Sequence, residues 1–222
     1  DVLIELFDRE FIEPQETLGM SVLGQFRVLD DPNRFFWLRG FADMPSRAQG
    51  LSAFYGGPIW KAHRDTANAT MIDSDNVLLL RPARPQSGFE MRGAGRPQSG
   101  GAPSKKLFLA TIYYFDAAAG DAFVDFFERV MKPELTENGA SVLGYFVTEN
   151  SPNNFPPLPV RENEHVFFSL VSFPDSQAYE RHLAALAQSA TWQTAVANML
   201  ERRLKARPEI WRLTPTSRST LQ

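Results

Sequence analysis

The feature that most constrains this chain is a tetrapeptide, Ser-Val-Leu-Gly, that occurs twice, at Ser21–Gly24 and at Ser141–Gly144. The flanks of the two copies also correspond. Each copy follows an amphipathic helix, lies in a strand, and is followed by an aromatic-rich strand, a helix and a short closing strand. The duplication therefore predicts one folding unit written twice.

The second copy predicts the complete unit. Its elements, in order, are a strand at 107–115, a helix from 120, strands at 142–148 and 165–173, a helix from 176 and a strand at 209–213. Strand, helix, strand, strand, helix, strand is the ferredoxin-like order. We therefore expect an α+β fold of two tandem ferredoxin-like (βαββαβ) units, the first unit lacking its first strand in this chain. The simplest explanation for that gap is a sequence that begins late, because a half-built sheet would leave an unpaired edge.

A change in composition predicts the domain boundaries. Residues 1–82 form the first repeat and 107–216 the second, followed by a tail at 217–222. Between the repeats, 83–106 is rich in Pro, Gly, Ser and Arg and contains Arg-Pro-Gln-Ser-Gly twice. Such a segment has too little apolar surface to order itself, which predicts a flexible linker. The alternative is a basic arm that docks on a partner.

Charge and composition exclude several classes of function. A net charge of −3 gives no basic surface for nucleic acid, and no apolar run reaches the ~20 residues that span a bilayer. The first residues are acidic and unlike a signal peptide, which predicts a cytoplasmic location. The absence of cysteine excludes thiolate chemistry and disulfides. No metal-ligand spacing or Gly-rich phosphate loop is present, so we expect no metal and no cofactor.

The aromatic strand at 35–41 contains the first candidate binding residues. Period-two alternation places Trp37 and Arg39 on one face of this strand. If that face lines a barrel, a guanidinium among aromatic walls would favour a carboxylate or another anionic ligand. The alternative is an ion pair between Arg39 and an acid of the other repeat, such as Glu149 or Glu164, or exposure of its guanidinium to solvent at the strand end.

The helix that follows supplies the candidate catalytic residue. His63 lies beside Trp60 on a helix that leads into Asn68, and it could act as a general acid or base. The alternative is a structural histidine on the helix surface or in the core. His182 is expected on a helix surface, and His165, at a strand start, is a further candidate for the cavity.

Three stretches together resemble a known family. Gly56–Arg64, Ala67–Met71 and the doubled Val-Leu-Gly strand are similar to bacterial members of the NIPSNAP family, in the dimeric α+β barrel superfamily. This resemblance implies two ferredoxin-like units with their sheets face to face, helices outside and a cavity inside. The family's activity is poorly defined. Superfamily relatives include cofactor-independent monooxygenases, haem-degrading enzymes, isomerases and cyclases, which is a likeness of fold and not of chemistry.

These observations leave two hypotheses of function. In the first, the barrel cavity binds a small aromatic or apolar ligand with an anionic group. Trp37, Arg39, Trp60 and Asn68 then contact the ligand and His63 transfers a proton, as in a cofactor-independent monooxygenase or isomerase. In the second, the chain is a non-catalytic interaction or assembly protein, for example a homodimer. A closed cavity containing Arg39 or His63 would favour the first, and a barrel packed solid would count against an enzyme.

Overall fold

A computed structural model describes residues 1–90, 95–98 and 104–222. The helices are α1 (Val2–Leu6), α2 (Ile12–Thr17), α3 (Met44–Gly56), α4 (Pro58–Asn68), α5 (Asp121–Phe126), α6 (Lys132–Glu137), α7 (Ser176–Leu186) and α8 (Ala197–Arg203). There are also π-helical turns among the described residues. Phe7–Phe11 connects α1 to α2, Phe127–Met131 connects α5 to α6, and Trp192–Val196 precedes α8. The strands are β1 (Ser21–Val28), β2 (Phe35–Gly40), β3 (Leu80–Pro82), β4 (Leu107–Phe115), β5 (Ser141–Thr148), β6 (His165–Phe173) and β7 (Glu209–Pro215).

The strands form one antiparallel sheet in the order β2-β1-β7-β4-β6-β5-β3. Within the second repeat, the order β7-β4-β6-β5 places the first strand of the unit between its fourth and third, as in a ferredoxin-like fold. The first repeat contributes its second, third and fourth strands, β1, β2 and β3. The α+β fold of two tandem ferredoxin-like units predicted from the duplication is confirmed.

The last strand of each repeat pairs with the second strand of the other repeat. Strand β7 pairs with β1 so that Pro215 lies opposite Phe26, and β3 pairs with β5 so that Pro82 lies opposite Phe146. Phe26 and Phe146 are equivalent positions, each two residues after the repeated tetrapeptide. The two junctions between repeats therefore have the same register, and the two tetrapeptides occupy equivalent strands, as predicted.

One apolar core fills the inner face of the sheet. Leu38 of β2 and Leu80 of β3, from opposite ends of the strand order, pack against the same buried cluster, so the sheet is curled. Phe26 and Phe108 meet at 5.1 Å between ring centroids near its centre. Two further cores lie between the sheet and the helices, one in each repeat.

Local signals place the helices as the sequence indicates. Asp43 caps α3 by accepting the Ser46 amide at 2.7 Å, and Asp175 caps α7 by accepting the Ala178 amide at the same distance. In the described part of the chain, no helix has both the length and the apolar character needed to cross a bilayer.

The segment after β3 differs from the predicted flexible linker. Ser87 is 2% exposed and its hydroxyl donates to the Tyr145 carbonyl at 2.7 Å. The Phe89 ring packs at 4.8 Å from Phe146 in the barrel core. The first residues of the proposed linker are therefore packed, because one aromatic side chain is enough to anchor a polar segment. The rest of that prediction falls partly on residues 91–94 and 99–103, which lie outside the described residues.

Candidate ligand site in the first repeat

The candidate site is built around two arginines between the sheet and the helices of the first repeat. Arg39 extends from β2, partly buried, and its Nη1 donates to Gln15 Oε1 at 2.8 Å. Gln15 is 1% exposed and is held in place because its Nε2 donates to the Phe11 carbonyl at 2.8 Å. Burial lowers the pKa of the Arg39 guanidinium below its usual value.

Arg47, on α3, is the second arginine of the site and is only 3% exposed. Its Nη1 donates to Asn153 Oδ1 at 3.0 Å and to Asn154 Oδ1 at 2.8 Å. Burial lowers the pKa of Arg47, and the positive charge of Arg39 lowers it further. None of the ion pairs formed by the described residues involves either arginine. Among the described residues, the side-chain hydrogen-bond acceptors of the two guanidinium groups are neutral amides and, for Arg39, the Tyr55 hydroxyl.

Aromatic rings enclose Arg39. Its guanidinium carbon lies 4.6 Å from the centroid of Trp37, 5.5 Å from Phe41 and 6.0 Å from Tyr55. Cation–π contact stabilises a guanidinium at these distances but does not neutralise its charge. The Tyr55 ring also meets Trp60 edge-on at 4.8 Å. The site is thus cationic at its centre and aromatic around it.

The loop between β5 and β6 brings residues of the second repeat to this site. Phe155 stacks on Tyr55 with ring centroids 5.8 Å apart. Asn154 Nδ2 donates to the Met44 carbonyl at 2.6 Å, beside the start of α3. Asn153 Nδ2 donates to the Leu158 carbonyl at 3.0 Å, which fixes its Oδ1 toward Arg47. Both repeats therefore contribute to one site.

His63 is connected to this cluster through Phe11. Its Nε2 is 3.5 Å from Glu10 Oε2, and its ring is 6.2 Å from that of Phe11. Phe11 in turn contacts Trp60 at 5.6 Å. Glu10 can therefore orient the imidazole ring, as a general acid or base requires.

The structure brings most of the predicted residues together. Trp37, Arg39, Trp60 and His63 belong to one connected set of contacts. Asn68 lies exposed at the end of α4, and none of the described hydrogen bonds joins its side chain to that set.

The face that Arg39 occupies differs from the one supposed in the barrel hypothesis. Phe36 and Leu38 point into the barrel core, whereas Trp37 packs in the core between sheet and helices. Phe26, opposite Phe36, is fully buried in the barrel. The alternative ion pairs of Arg39 are also wrong, because the Glu149 carboxylate accepts the Ser151 amide and that of Glu164 pairs with Arg161.

The other histidines have structural surroundings. His182 is 2% exposed, and its Nδ1 lies 2.8 Å from the Asn138 carbonyl oxygen, so the expected surface position is wrong. Burial lowers the pKa of His182, which favours the neutral ring. His165 is partly exposed at the start of β6, with its Nδ1 buried and without a hydrogen-bond partner.

The interior of the barrel is occupied by side chains. Two clefts of about 460 Å³ and 260 Å³ lie at the surface, and neither is lined by Arg39 or His63. The larger is lined by Glu13, Arg96, Pro97, Gln98 and Arg218, and the smaller by Val28, Asp30, Asp31, Arg34, Glu209, Ile210 and Trp211. Aromatic and aliphatic side chains pack the barrel instead. A ligand in the barrel cavity is therefore not supported.

Several residues of the site were missed at the sequence level. These are Gln15, Arg47, Tyr55, Asn153, Asn154 and Phe155. The signal for Arg47 was weak, since it lies on the first turns of an ordinary helix. Asn153 and Asn154 lie more than 100 residues from Arg47, in a turn-like segment that carries no pattern linking it to the first repeat.

Comparison with known proteins does not assign the chain to a family. No family model matches the chain, and no curated protein matches it. Among solved structures, the chain is similar to a crystal structure from Lactobacillus acidophilus NCFM described as a "putative monooxygenase". The two are 12% identical with a TM-score of 0.47, over 96% of this chain and 84% of the other. Membership of the NIPSNAP family stays a prediction.

Proposed function

We propose that this protein binds a small aromatic molecule with a carboxylate or similar anionic group, between β2 and helices α3 and α4. The observation that supports this is the pair Arg39 and Arg47. Neutral side-chain amides accept hydrogen bonds from both guanidinium groups, and Arg47 is only 3% exposed. Neither guanidinium forms an ion pair with a carboxylate of the described residues. A buried charge without a counter-ion is costly, so an anionic ligand would be stabilised there.

The aromatic surroundings favour a planar apolar body on that ligand. Trp37, Tyr55 and Trp60 are each only partly buried, and the rings of Trp37 and Tyr55 lie against Arg39. Arginine binds carboxylates through paired N–H donors, and aromatic rings stack on flat ligands. The proposed ligand class is therefore an aromatic carboxylic acid.

A proton transfer by His63 is the catalytic part of the proposal. Glu10, at 3.5 Å, would orient the imidazole, and no cofactor is required for proton abstraction from an acidic carbon. A cofactor-independent isomerase or monooxygenase reaction would use that step. The packed barrel counts against such a reaction in the barrel interior, so any reaction belongs to the layer between sheet and helices.

The second candidate is association of two chains. The observation that favours it is the edge of β2, where all six residues are partly exposed. Unpaired edge strands pair readily with other strands. In this case the protein would be a non-catalytic assembly protein, and a homodimer would be its smallest form.

A thermal-shift comparison of matched ligands tests the first candidate. Benzoate, phenylacetate and indole-3-acetate are compared with their neutral amides, on the wild type and on Arg39→Met and Arg47→Met. Saturating ligand at about 100 times its Kd should stabilise the wild type by about 2.7 kcal/mol. Arg64→Met is the control, because Arg64 is exposed and its ion pair among the described residues is with its neighbour Asp65.

The proposal predicts stabilisation of the wild type and the control by at least one acid, a smaller effect of the amides, and loss of the effect in both arginine variants. Equal stabilisation by acids and amides would contradict an anionic requirement. If no compound stabilises any variant while the chain self-associates, the assembly function is favoured.

A further inference from the structure

Gln15 lies on the inner side of an acidic helical segment. Glu13 and Glu16, on the exposed side of α2, form ion pairs with arginines outside the ligand site. Gln15 is 1% exposed and meets Arg39 instead, with 2.8 Å between its Oε1 and Nη1 of the guanidinium. The residue of α2 that contacts the arginine of the site is therefore a neutral amide and not one of the neighbouring acids.

The orientation of the Gln15 amide is fixed at both of its ends. Its Nε2 donates to the Phe11 carbonyl at 2.8 Å, so its Oε1 is the atom that accepts from Arg39. A glutamate side chain has the same shape and could accept the same hydrogen bond, but it would also neutralise the guanidinium. A glutamine holds the guanidinium in place and leaves its charge unchanged.

The second repeat has neither member of this pair. Gln15 and Leu135 each lie six residues before the repeated tetrapeptide, so their positions are equivalent. Arg39 corresponds to Val171, because Phe-Ala-Asp at 41–43 matches Phe-Pro-Asp at 173–175. Leu135 and Val171 belong to one buried apolar cluster. The unit folds with an aliphatic pair at these positions, so folding alone does not explain the polar pair of the first repeat.

We propose that Gln15 sets the charge preference of the ligand site: its neutral amide positions Arg39 and leaves the guanidinium positive, so that the ligand supplies the negative charge. This inference rests on the proposed ligand site. The same pattern occurs at Arg47, which donates to the side-chain amides of Asn153 and Asn154. An acid at position 15 would be an internal counter-ion for Arg39 and would compete with an anionic ligand.

A double-mutant cycle tests the contact with Arg39 in the absence of ligand. Unfolding in urea is measured for the wild type, Gln15→Glu, Arg39→Met and the double variant. Loss of the hydrogen bond to the Phe11 carbonyl occurs in both backgrounds and cancels in the cycle. The new carboxylate, in contrast, has its counter-ion in the wild-type background and lacks it in the Arg39→Met background.

Gln15→Glu should therefore raise the equilibrium constant of unfolding at least about ten-fold more in the Arg39→Met background than in the wild type. A double variant that does not fold, while Gln15→Glu does, gives the same answer. An equal effect in both backgrounds, or loss of folding by Gln15→Glu alone, would overturn the inference.

Affinities for phenylacetate and for its neutral amide test the charge preference. They are compared in the wild type, Gln15→Glu and Gln15→Leu. Gln188→Glu is the control with the same change in net charge, because Gln188 is exposed after α7. Gln15→Glu should lower the ratio of acid affinity to amide affinity at least about ten-fold. Gln15→Leu removes the hydrogen bond but keeps the charge of the site, so it should retain the preference for the acid.

The ratio separates a charge effect from a structural effect, because a distorted site would weaken the acid and the amide alike. A ratio in Gln15→Glu equal to that of the wild type would overturn the inference, as would an equally large fall in the Gln188→Glu control. If the wild type binds neither compound, the proposed function fails. The unfolding cycle then still decides whether Gln15 leaves Arg39 without a counter-ion.

Discussion

The duplicated unit offers a matched pair of mutations in the barrel core, Phe26→Ala and Phe146→Ala. Both phenylalanines lie two residues after the tetrapeptide, and each faces a proline across a junction between repeats. Phe26 is fully buried and its ring packs at 5.1 Å from Phe108. Phe146 is only partly buried and packs at 4.8 Å from Phe89, which follows β3.

The magnitudes follow from this difference in burial. Deleting a fully buried phenylalanine costs about 3–5 kcal/mol, since transfer and cavity terms add, and a partly exposed one costs about half as much. In a chain of this size, a difference of about 2 kcal/mol corresponds to roughly 4–8 °C in Tm. Urea and thermal unfolding, with unchanged m values, measure it. Equal destabilisation, or a larger effect at Phe146, would refute the assignment of the core.

Three further predictions follow from single contacts. Gly24→Ala should destabilise the fold by about 1–3 kcal/mol, because its new Cβ would lie 2.5 Å from a carbon of the buried Phe26 ring. Gly56→Ala is the control, since its new Cβ would meet no atom within 4 Å. In chemical denaturation this control should be neutral or stabilising. Burial raises the pKa of Asp8 from 3.8 to about 6, so the stability it contributes is fully present below pH 3.8 and is lost as the pH rises through about 6. Asp8→Asn should remove this pH dependence of the free energy of unfolding and should stabilise the protein at pH 7 by up to about 3 kcal/mol. A pH profile of unfolding that is the same in the wild type and the variant would contradict the raised pKa of Asp8. Ser87→Ala should destabilise by about 1 kcal/mol, because the Tyr145 carbonyl loses a buried donor, and no loss would show that the segment after β3 is not docked.

The sequence allowed the fold to be predicted because the two copies corroborate each other. A single aromatic strand such as 35–41 is ambiguous, but its equivalent at 165–173 has the same neighbours and the same following Asp cap. The extent of β3 was less predictable. The short closing strand of the first repeat is limited to Leu80–Pro82, because the carbonyl groups of Val77 and Leu79 accept hydrogen bonds from Arg161 and Glu149, outside a regular ladder.

The site was only partly predictable, for reasons of geometry. Alternation along β2 separates Trp37 and Arg39 from Phe36 and Leu38, but it does not say which pair faces the barrel. That choice depends on packing: Phe26 pairs with Phe36 on the inner face, and Gln15 receives Arg39 on the outer face. Contacts such as Arg47 with Asn153 join segments more than 100 residues apart, and no local pattern records them.

The pairing of each repeat's last strand with the other repeat is tested most directly by engineered disulfides, because the chain has no cysteine of its own. Arg27→Cys with Thr214→Cys, and Arg81→Cys with Val147→Cys, join residues directly opposite across the two junctions. Directly paired residues lie within the range of Cα separations that a disulfide spans. Thr111→Cys with Ser169→Cys is the positive control within the second repeat.

The structure predicts intramolecular disulfides in all three pairs under mild oxidation, detected as a mass loss of two hydrogens and as a linked peptide after digestion. Arg27→Cys with Leu213→Cys should not react, because this pair is out of register by one residue and the side chains point to opposite faces. Oxidation of the control pair without oxidation of either junction pair would contradict the shared sheet.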